Sequence, residues 1–441
     1  MKRPLPAVAV VGRPNVGKST FFNRVLGERR AIVEDIPGVT RDRNFARAEW
    51  AGRHFYIIDT GGLETEGDEP MTAAIRRQVM AAIEESDVIV FMVDGRAGPQ
   101  PLDHRIADVL RRSGRPVILV VNKMDRLPAE LGHHDFWELG LGEPLPVSAV
   151  SGKGSGEVLD AVVARLPEAP EEVEDEALHV AVVGRPNVGK SSFINRLLGE
   201  DRLVVSDVAG TTRDAVDTPL RYHGRTIVFV DTAGLRRRAR IEPGLEYYSA
   251  LRTERAIERA DVCLLLLDAT EPVHVQDLKI AERVWQAGCG LIIVANKWDL
   301  VKKTEKTATA YENHIRERAP WLRWTPIIFT SALTGQRVHK TLDLVLEVAA
   351  ERSRRIATHE VNEVVRELVE QQPPPHYRGL PVKFFYATQA ATAPPTFVIF
   401  TNYPKAVPDH YARYLYNGFR ERWGFVGVPL RLRFRGRKER Q

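Results

Sequence analysis

Cysteine and long apolar runs are both scarce in this sequence. Two cysteines among 441 residues exclude a disulfide-rich secreted fold and suit a reducing cytosol. No stretch approaches the roughly 18 apolar residues that a membrane helix needs. The opening MKRPLPAVAVV places basic residues before apolar ones, as a signal peptide does, but its apolar part is short and leads into glycine-rich sequence. We therefore expect a cytoplasmic protein without membrane contact, and a first β-strand in this segment.

Positive and negative charges are nearly balanced over most of the chain. Residues 351–441 contain sixteen Lys or Arg and eight Asp or Glu, so the net charge of +5 leaves residues 1–350 at −3. The segment PEAPEEVEDEA, 167–177, has six acids and no base, which is typical of a solvated linker. The remaining composition, 44% hydrophobic and 27% charged, is that of a globular protein, and the length predicts about three domains.

The ten residues VVGRPNVGKS occur twice, at 10–19 and at 182–191. The similarity extends over 9–28 and 181–200, which differ at three of twenty positions, and later motifs repeat at offsets of 172 to 183. Repetition at this distance indicates duplication of a whole domain and not a solenoid. We predict a first domain at 1–166, an acidic linker at 167–177, a second domain at 178–352 and a C-terminal domain at 353–441.

Each copy alternates short apolar runs with helical patterns. The runs are AVAVVG, HFYIIDT, DVIVFMVD and PVILVVNK in the first copy, and HVAVVG, TIVFVDT, DVCLLLLDA and GLIIVANK in the second. Near-continuous apolar strands separated by amphipathic helices predict a mostly parallel sheet that is covered on both faces. Ligands bind such sheets at the carboxyl ends of the strands, and the polar motifs of both copies fall there.

The first motif, G-x-x-x-x-G-K-S, predicts a phosphate-binding loop between a strand and a helix. The backbone amides of the loop and the helix N-terminus bind phosphate, the lysine meets the outer phosphates, and the serine hydroxyl binds Mg²⁺. The alternative is a chance glycine-rich turn, which the second occurrence disfavours. The predicted residues are Gly12, Arg13, Pro14, Asn15, Val16, Gly17, Lys18, Ser19 and Thr20, and Gly184, Arg185, Pro186, Asn187, Val188, Gly189, Lys190, Ser191 and Ser192.

A D-x-x-G motif follows in each copy. We expect its aspartate at a strand end, where the carboxylate reaches the Mg²⁺ shell, and we expect its glycine amide to contact the γ-phosphate. The residues are Asp59, Thr60, Gly61 and Gly62, and Asp231, Thr232, Ala233 and Gly234.

The N-K-x-D motifs predict which base is bound. A carboxylate only accepts hydrogen bonds, so it matches the N1–H and 2-amino donors of guanine, whereas adenine would leave it facing an acceptor and would be strongly rejected. The Ser-Ala pairs further along complete the site. We predict one guanine nucleotide, GTP or GDP, in each copy, bound by Asn122, Lys123, Asp125, Ser148 and Ala149, and by Asn296, Lys297, Asp299, Ser331 and Ala332.

Five ordered motifs, present twice and followed by a basic region, make the chain resemble the bacterial Der (EngA) family of tandem GTPases. The resemblance implies GTP hydrolysis, a large ribosomal subunit and its rRNA as partners, no DNA partner, and a monomer. Thr40 and Thr212, in PGVTRD and AGTTRD, should close over Mg²⁺ and the γ-phosphate. The residues expected to act in hydrolysis are Lys18, Thr40, Gly62, Lys190, Thr212 and Gly234, and the expected Mg²⁺ ligands are Ser19, Thr40, Asp59, Ser191, Thr212 and Asp231.

The chain departs from many small GTPases directly after the D-x-x-G motifs. Leu63 and Leu235 stand where those proteins place the glutamine that orients the attacking water. In related bacterial loops of the form G-x-P-N-x-G-K-S, the asparagine holds K⁺ against the phosphates, so we expect Asn15 and Asn187 to hold K⁺. The alternative is that each asparagine only stabilises the turn of the loop.

The region from about residue 355 onward predicts an α-β-β-α-β domain that resembles a KH-like domain. A helix with an apolar stripe should begin behind a Thr358 cap, and the strands LPVKFFYATQ and TFVIFTNYP, the helix PDHYARYLYNGFRERWG and the strand VPLRLRFRGRK should follow. The fold class is therefore α/β: two P-loop GTPase domains with mostly parallel sheets in tandem, then a small α+β KH-like domain. The stripe consists of Val361, Val364, Val365, Leu368 and Val369.

Two arginine clusters are candidates for RNA contacts. Alternation in the last strand should turn Leu430, Leu432 and Phe434 to the core and a row of arginines outward. A solvated face is the alternative for the row, and a solvated loop is the alternative for the run LRRRAR. The only G-x-x-G string of the C-terminal region, Gly424 to Gly427, leads into a strand, so it is not expected to read RNA as a KH loop does. The candidates are Arg236, Arg237, Arg238, Arg431, Arg433 and Arg435.

Two functions stay open at this point. The first is a GTP-hydrolysing factor in maturation of the large ribosomal subunit, with the GTP or GDP state of two domains controlling association with rRNA. The second is a nucleotide-gated regulator of cell division or envelope signalling whose C-terminal domain binds protein. The sequence shows no amphipathic or lipid anchor, which counts against the envelope version.

Overall fold

The computed structural model describes residues 5–27, 45–60, 71–125, 134–167, 177–199, 217–232 and 246–436. These residues form two compact units, one within 1–173 and 240–255 and the other within 174–239 and 256–441. The domain boundaries expected at 166, 178 and 353 stay predictions. In the described part of the chain, no helix is both long and apolar enough to cross a membrane.

The first unit contains a six-stranded sheet in the order β2-β3-β1-β4-β5-β6. All neighbours pair in parallel except β2 and β3, which confirms the mostly parallel sheet. The strands are β1 Ala7–Val11, β2 Phe45–Trp50, β3 Arg53–Asp59, β4 Val88–Asp94, β5 Val117–Asn122 and β6 Leu145–Pro146. The helices are α1 Lys18–Gly27, α2 Met71–Glu85, α3 Pro101–Ser113 and α4 Ser155–Arg165, with a 3-10 helix at His134–Leu139.

Burial on both faces explains why the strands of this sheet are apolar throughout. Every residue of β1 and β4 is buried. Alternate residues of β1 join two separate cores, because Val8 and Val10 pack with α1 and α4, whereas Ala7 and Ala9 pack with α2 and α3. With helices on both sides, the carboxyl ends of the strands are left as the place for polar residues.

The second unit contains a sheet of the same kind, in the order β12-β11-β10-β7-β9-β8, with β8 antiparallel to β9. Its strands are β7 Leu178–Val183, β8 Thr218–Tyr222, β9 Arg225–Phe229, β10 Val262–Asp268, β11 Gly290–Asn296 and β12 Ile327–Phe329. The helices are α5 Lys190–Leu198, the last turn of α6 Glu246–Arg259, whose residues up to 255 belong to the first unit, α7 Val275–Ala287, α8 Thr307–Arg318 and α9 Lys340–Ser353, with a 3-10 helix at Pro320–Trp324. α5 and α9 cover one face of the sheet, and α7 and α8 cover the other.

The C-terminal residues form the predicted α-β-β-α-β domain. Its elements are α10 Thr358–Gln371, β13 Phe384–Thr392, β14 Pro395–Thr401, α11 Asp409–Trp423 and β15 Arg431–Gly436, with a 3-10 turn at Pro404–Ala406. β14 pairs antiparallel with β13 and parallel with β15. α10 and α11 pack against one face of this sheet, and the predicted stripe of α10 lies in that core.

The expected Thr358 cap is wrong. α10 begins at Thr358, so Ala357 occupies the N-cap position and no side chain caps the helix. The Thr358 hydroxyl lies 3.3 Å from the hydroxyl of Thr388 on β13 instead. A tertiary contact thus takes the side chain that local sequence assigned to capping.

The G-x-x-G string holds the C-terminal domain against the second P-loop domain. We call residues 424–428 the docking segment. Gly427 donates its amide to the carbonyl of Trp324 (2.8 Å) and accepts from the amide of Leu291 on β11 (2.7 Å). Val428 lies in the hydrophobic core of the second sheet, and the fully buried Arg420 donates to the carbonyls of Gly424, Phe425 and Val428. The string is therefore a structural element within this unit.

Candidate functional site

The predicted motifs collect at the carboxyl end of each P-loop sheet. In the first unit, the loop 12–17 joins β1 to α1, and both Asp59 and Asn122 are the last residues of their strands. In the second, the loop 184–189 joins β7 to α5, and Asn296 ends β11. The predicted position of the phosphate-binding loops, after a strand and before a helix, is confirmed in both copies.

Lys18 is buried, Lys190 is half-buried, and both are bonded to their own loops. Lys18 Nζ donates to the carbonyls of Gly12 and Arg13, each at 2.9 Å. Lys190 Nζ makes the equivalent bonds to Gly184 (2.8 Å) and Arg185 (2.7 Å). Burial lowers the pKa of Lys18, although Asp59 opposes the shift. A phosphate group would stabilise the charged form of each lysine.

Two glycines of the first loop permit close approaches that a side chain would block. Gly12 (φ +152°) has no room for a Cβ atom, which would lie 2.2 Å from the carbonyl oxygen of Met92. Gly17 (φ +97°) lies against Asn122, whose Nδ2 would be 2.2 Å from a Cβ atom. The motif glycines therefore serve the packing of the loop against β4 and β5 as well as its turn.

The asparagine of N-K-x-D acts as a brace between two loops. Asn122 Nδ2 donates to the carbonyl of Val16 (2.7 Å), and its Oδ1 accepts from the amide of Ala149 (2.9 Å). Asn296 makes the same two bonds, to Val188 at 2.9 Å and from Ala332 at 3.0 Å. These bonds use the carbonyl oxygen and one of the two amide hydrogens of each side chain.

The lysine of N-K-x-D pairs with an aspartate that the sequence reasoning missed. Lys123 Nζ lies 2.6 Å from Asp94 Oδ2 at the end of β4, and Lys297 Nζ lies 2.6 Å from Asp268 at the end of β10. Burial acts to raise the pKa of Asp94, but hydrogen bonds from Lys123 and from a backbone amide outweigh it, so the pKa lies below its usual value. The pairs fix both lysines, which adopt left-handed backbone angles, beside the predicted base site.

Two further contacts that the sequence reasoning missed hold the loops in place. Arg24, on α1, donates to the carbonyls of Ala149 (3.2 Å) and Val150, and Arg196, on α5, makes the equivalent bonds to Ala332 (3.1 Å) and Leu333. The helix that follows each phosphate loop is thus tied to the Ser-Ala loop. The signal for this contact is the arginine seven residues after Gly17 and Gly189 in both copies.

The P-loop arginines pair with buried carboxylates. Arg13 Nε lies 3.4 Å from Asp103 Oδ2, which is completely buried. Arg185 Nε lies 2.9 Å from Asp277 Oδ1, and Arg185 Nη2 lies 3.1 Å from Glu271. Burial raises the pKa of Asp103, although the Gln100 amide and Arg13 oppose the shift. Both arginines are therefore structural members of their loops.

An open cavity of about 510 Å³ lies at the predicted second site, a size within the usual range for small-molecule pockets. It is lined by Lys297, Asp299 and Ala332 of the predicted base motifs, and by Gly189 and Ser192 beside the phosphate loop. Two apolar side chains at its rim, Leu300 and Leu333, are 64% and 72% exposed. A carboxylate between apolar side chains fits a flat ring that carries hydrogen-bond donors on one edge.

The D-x-x-G aspartates differ between the copies. Asp59 is 3% exposed and pairs in register with Val10 of β1, as predicted for a strand end. The strand-end prediction is wrong for Asp231, because β9 ends at Phe229. Asp231 has φ +56° and donates its amide to Asp217 Oδ1 (3.0 Å), so the side chain of Asp217 replaces strand pairing there.

Several predicted residues lie outside the described part of the chain. They are Thr40, Gly61, Gly62, Thr212, Ala233, Gly234, Arg236, Arg237 and Arg238. Of the Mg²⁺ set, Ser19 and Ser191 are the second residues of α1 and α5. A hydroxyl and the carboxylate of Asp59 or Asp231 are hard oxygen donors, which suit Mg²⁺.

Lys190 gives the second site a predicted pH dependence. Burial lowers the pKa of Lys190 to about 8, although Asp277 opposes the shift. A bound phosphate favours the ammonium form, so GDP binding should take up about 0.1 proton at pH 7 and about 0.5 at pH 8. Calorimetry in buffers of different ionisation enthalpy, with the first site blocked by Asp125→Asn, measures this uptake.

The control for this prediction is Lys190→Arg, whose guanidinium keeps its proton over the whole range. The rise in proton uptake between pH 7 and pH 8 should disappear in that variant. An equal rise in both proteins would mean that another group titrates.

Comparisons with known proteins agree with this geometry. Residues 7–123 and 179–297 match the family model described as 50S ribosome-binding GTPase, and residues 355–435 match the model of the KH-domain-like C-terminal region of EngA bacterial GTPase enzymes. A GTPase Der of Gemmatimonas aurantiaca is 58% identical over 429 residues, which cover 97% of this chain and 98% of that protein. A GTPase Der of Moorella thermoacetica is 53% identical over 437 residues, which cover 99% and 100%.

Proposed function

This chain belongs to the GTPase Der family, and on that premise we propose that it hydrolyses GTP at two sites during maturation of the large ribosomal subunit. The protein is a GTPase. The observation that carries the two-site proposal is the second cavity, where Asp299 and the phosphate loop line one space, together with the same bracing contacts in the first copy. ATP would leave the aspartates of both sites facing an acceptor.

The proposed roles follow from the positions of the side chains. Lys18 and Lys190 exchange their loop carbonyl partners for phosphate oxygens, which neutralises charge between the β- and γ-phosphates. Ser19 and Asp59, and Ser191 and Asp231, would hold Mg²⁺, which when bound neutralises the developing phosphate charge. Thr40, Thr212, Gly62 and Gly234 complete the proposed sets around the γ-phosphate.

We propose that the partner is the large ribosomal subunit and that the protein acts in the cytoplasm as a monomer. Support comes from the match to a 50S ribosome-binding GTPase family and from the KH-like domain match. The match disfavours the alternative of a cell-division or envelope regulator. Of the arginine row, Arg433 and Arg435 are exposed and are free to meet phosphates, whereas Arg431 donates to the carbonyl of Gln286 (2.8 Å).

Sedimentation through sucrose gradients with GTP, GDP and a non-hydrolysable analogue tests this function. The protein should move with large subunits in one nucleotide state only. We expect Lys18→Ala and Lys190→Ala to differ, with at least about a tenfold loss of association in one of them. Such a difference is expected because the segments after D-x-x-G, GGLETEGDEPM and AGLRRRARIEPG, carry opposite charge.

Lys→Arg replacements at the same two positions are the matched controls, because they keep the charge. If Lys18→Ala and Lys190→Ala each reduce the association with large subunits to the same half of its normal level, the two domains do not have distinct roles. If the association with large subunits is the same with GTP, with GDP and with the analogue, the proposed ribosomal function is contradicted.

We further propose that K⁺ bound beside Asn15 and Asn187 accelerates hydrolysis. Both asparagines have φ +64°, a backbone region that favours asparagine, so the turn alone is the competing explanation. Hydrolysis should be faster in KCl than in NaCl, because the smaller ion does not bridge the same phosphate oxygens. Phosphate release at matched ionic strength measures the difference, and equal rates would leave the turn as the whole explanation.

A further inference from the structure

The base-reading aspartate of the first site already has a cationic partner in the protein. Arg96 Nη2 donates to both oxygens of Asp125, at 3.2 and 3.0 Å. Both side chains are accessible, at 51% and 32% exposure. The same two oxygens are the ones that the N1–H and 2-amino donors of guanine require, because a carboxylate has only these two acceptor atoms.

The second site is built in the same way up to this side chain. Arg96 donates its amide to Asp94 Oδ1 (3.0 Å), and Thr270 donates its amide to Asp268 Oδ1 (3.0 Å). The turn after β4 therefore matches the turn after β10. Only the side chains differ, since the hydroxyl of Thr270 bonds to Asp268 (2.6 Å) and Asp299 lines the open cavity.

From this difference we infer that Arg96 competes with guanine for Asp125 and sets a lower nucleotide affinity in the first site. The inference rests on the proposed role of Asp125 as the base reader. In the first site, guanine displaces the guanidinium of Arg96 before it bonds to the carboxylate of Asp125. In the second site, Thr270 stands in place of Arg96 and carries no charge, so guanine displaces no such partner from Asp299. An exposed pair of this kind corresponds to a change of about three- to fivefold in the dissociation constant.

Arg96 thereby acts as an affinity-determining residue without contact to the phosphates. It makes the first site respond to a higher concentration of nucleotide than the second. The effect should shrink at high ionic strength, because salt screens exposed ion pairs.

The test uses the full chain and GDP as the probe. Asp299→Asn first removes guanine binding from the second site, so the measured GDP affinity is that of the first site alone. In this background, Arg96→Thr should tighten GDP binding about three- to fivefold. The reverse exchange, Thr270→Arg, should weaken GDP binding at the second site by a similar factor in the Asp125→Asn background.

A thermodynamic cycle separates competition from a general effect on charge. In the Asp125→Asn background, xanthosine diphosphate reports on the first site, and Arg96→Thr should leave its affinity unchanged, since the asparagine gives Arg96 no charge to bind. Unchanged or weaker GDP binding after Arg96→Thr would overturn the inference. An equal gain for both nucleotides would overturn it as well. If the Asp→Asn changes fail to switch the base, the proposed base reader is wrong instead.

Discussion

The Asp299→Asn variant is expected to lose guanine nucleotides from the second site by about 100-fold or more and to gain xanthosine nucleotides. The amide of asparagine donates where xanthine carries an oxygen in place of the 2-amino group, and it leaves that amino group of guanine facing a donor. Sites built on such hydrogen bonds reject the mismatched ligand strongly. Titration with fluorescent GDP and xanthosine diphosphate measures both affinities.

Asp125→Asn is the matched variant for the first site. Its loss of guanine affinity should be smaller by the factor that Arg96 contributes, because the replacement also removes the competing ion pair. Lys123 and Asn122 stay bonded to Asp94 and Val16, so the fold of the first site should survive. Unchanged affinity for GTP in both variants would show that the base lies elsewhere.

The Gly427→Ala variant should release the docking segment from the second P-loop domain. Gly427 has φ +72°, and an added Cβ atom would lie 2.8 Å from Val348 Cγ2 and 3.1 Å from the carbonyl oxygen of Leu291. Left-handed strain and this overlap together should cost about 2–5 kcal/mol. Faster hydrogen exchange at the amides of Leu291 and Gly427, with a lower unfolding temperature, would report the loss.

Gly424→Ala is the control for backbone strain. Gly424 has φ +75°, but the nearest atom to its Cβ position is Val426 Cγ2 at 4.0 Å. With ψ −78°, Gly424 lies in the strained γ-turn region, so this variant carries backbone strain without the overlap and should keep the Leu291 amide protected. Equal effects of the two changes would mean that the docking contact contributes no stability of its own.

The helices, the strands and the motifs could be predicted from the sequence because each depends on residues that are close together in the chain. The apolar runs marked β1, β4, β10 and β11 within a residue or two, and the strand-loop-helix context of the phosphate loops follows from glycine and lysine spacing. The stripe of α10 was predictable for the same reason. Helical periodicity and strand alternation are properties of neighbouring residues.

The missed contacts join residues that are far apart in the chain. Arg24 bonds to a carbonyl 125 residues away, and Arg96 meets Asp125 across 29 residues. The identity of each partner depends on which strand ends lie side by side, which no pattern of neighbouring residues encodes. Asp231 shows the same limit, because Asp217 supports it from across the sheet edge.

The contacts of Gly427 also determine the effect of removing the C-terminal domain. A truncation after residue 352 would strip the acceptor from the Leu291 amide and would remove Val428 from the core that also holds Ile292. Leu291 is the second residue of β11, and the same strand ends at Asn296, which braces the phosphate loop. In a truncated protein that lacks the last domain, β11 would therefore be frayed where it leads to the nucleotide site. The GTP turnover rate measured for the truncated protein would be lower than that of the intact enzyme.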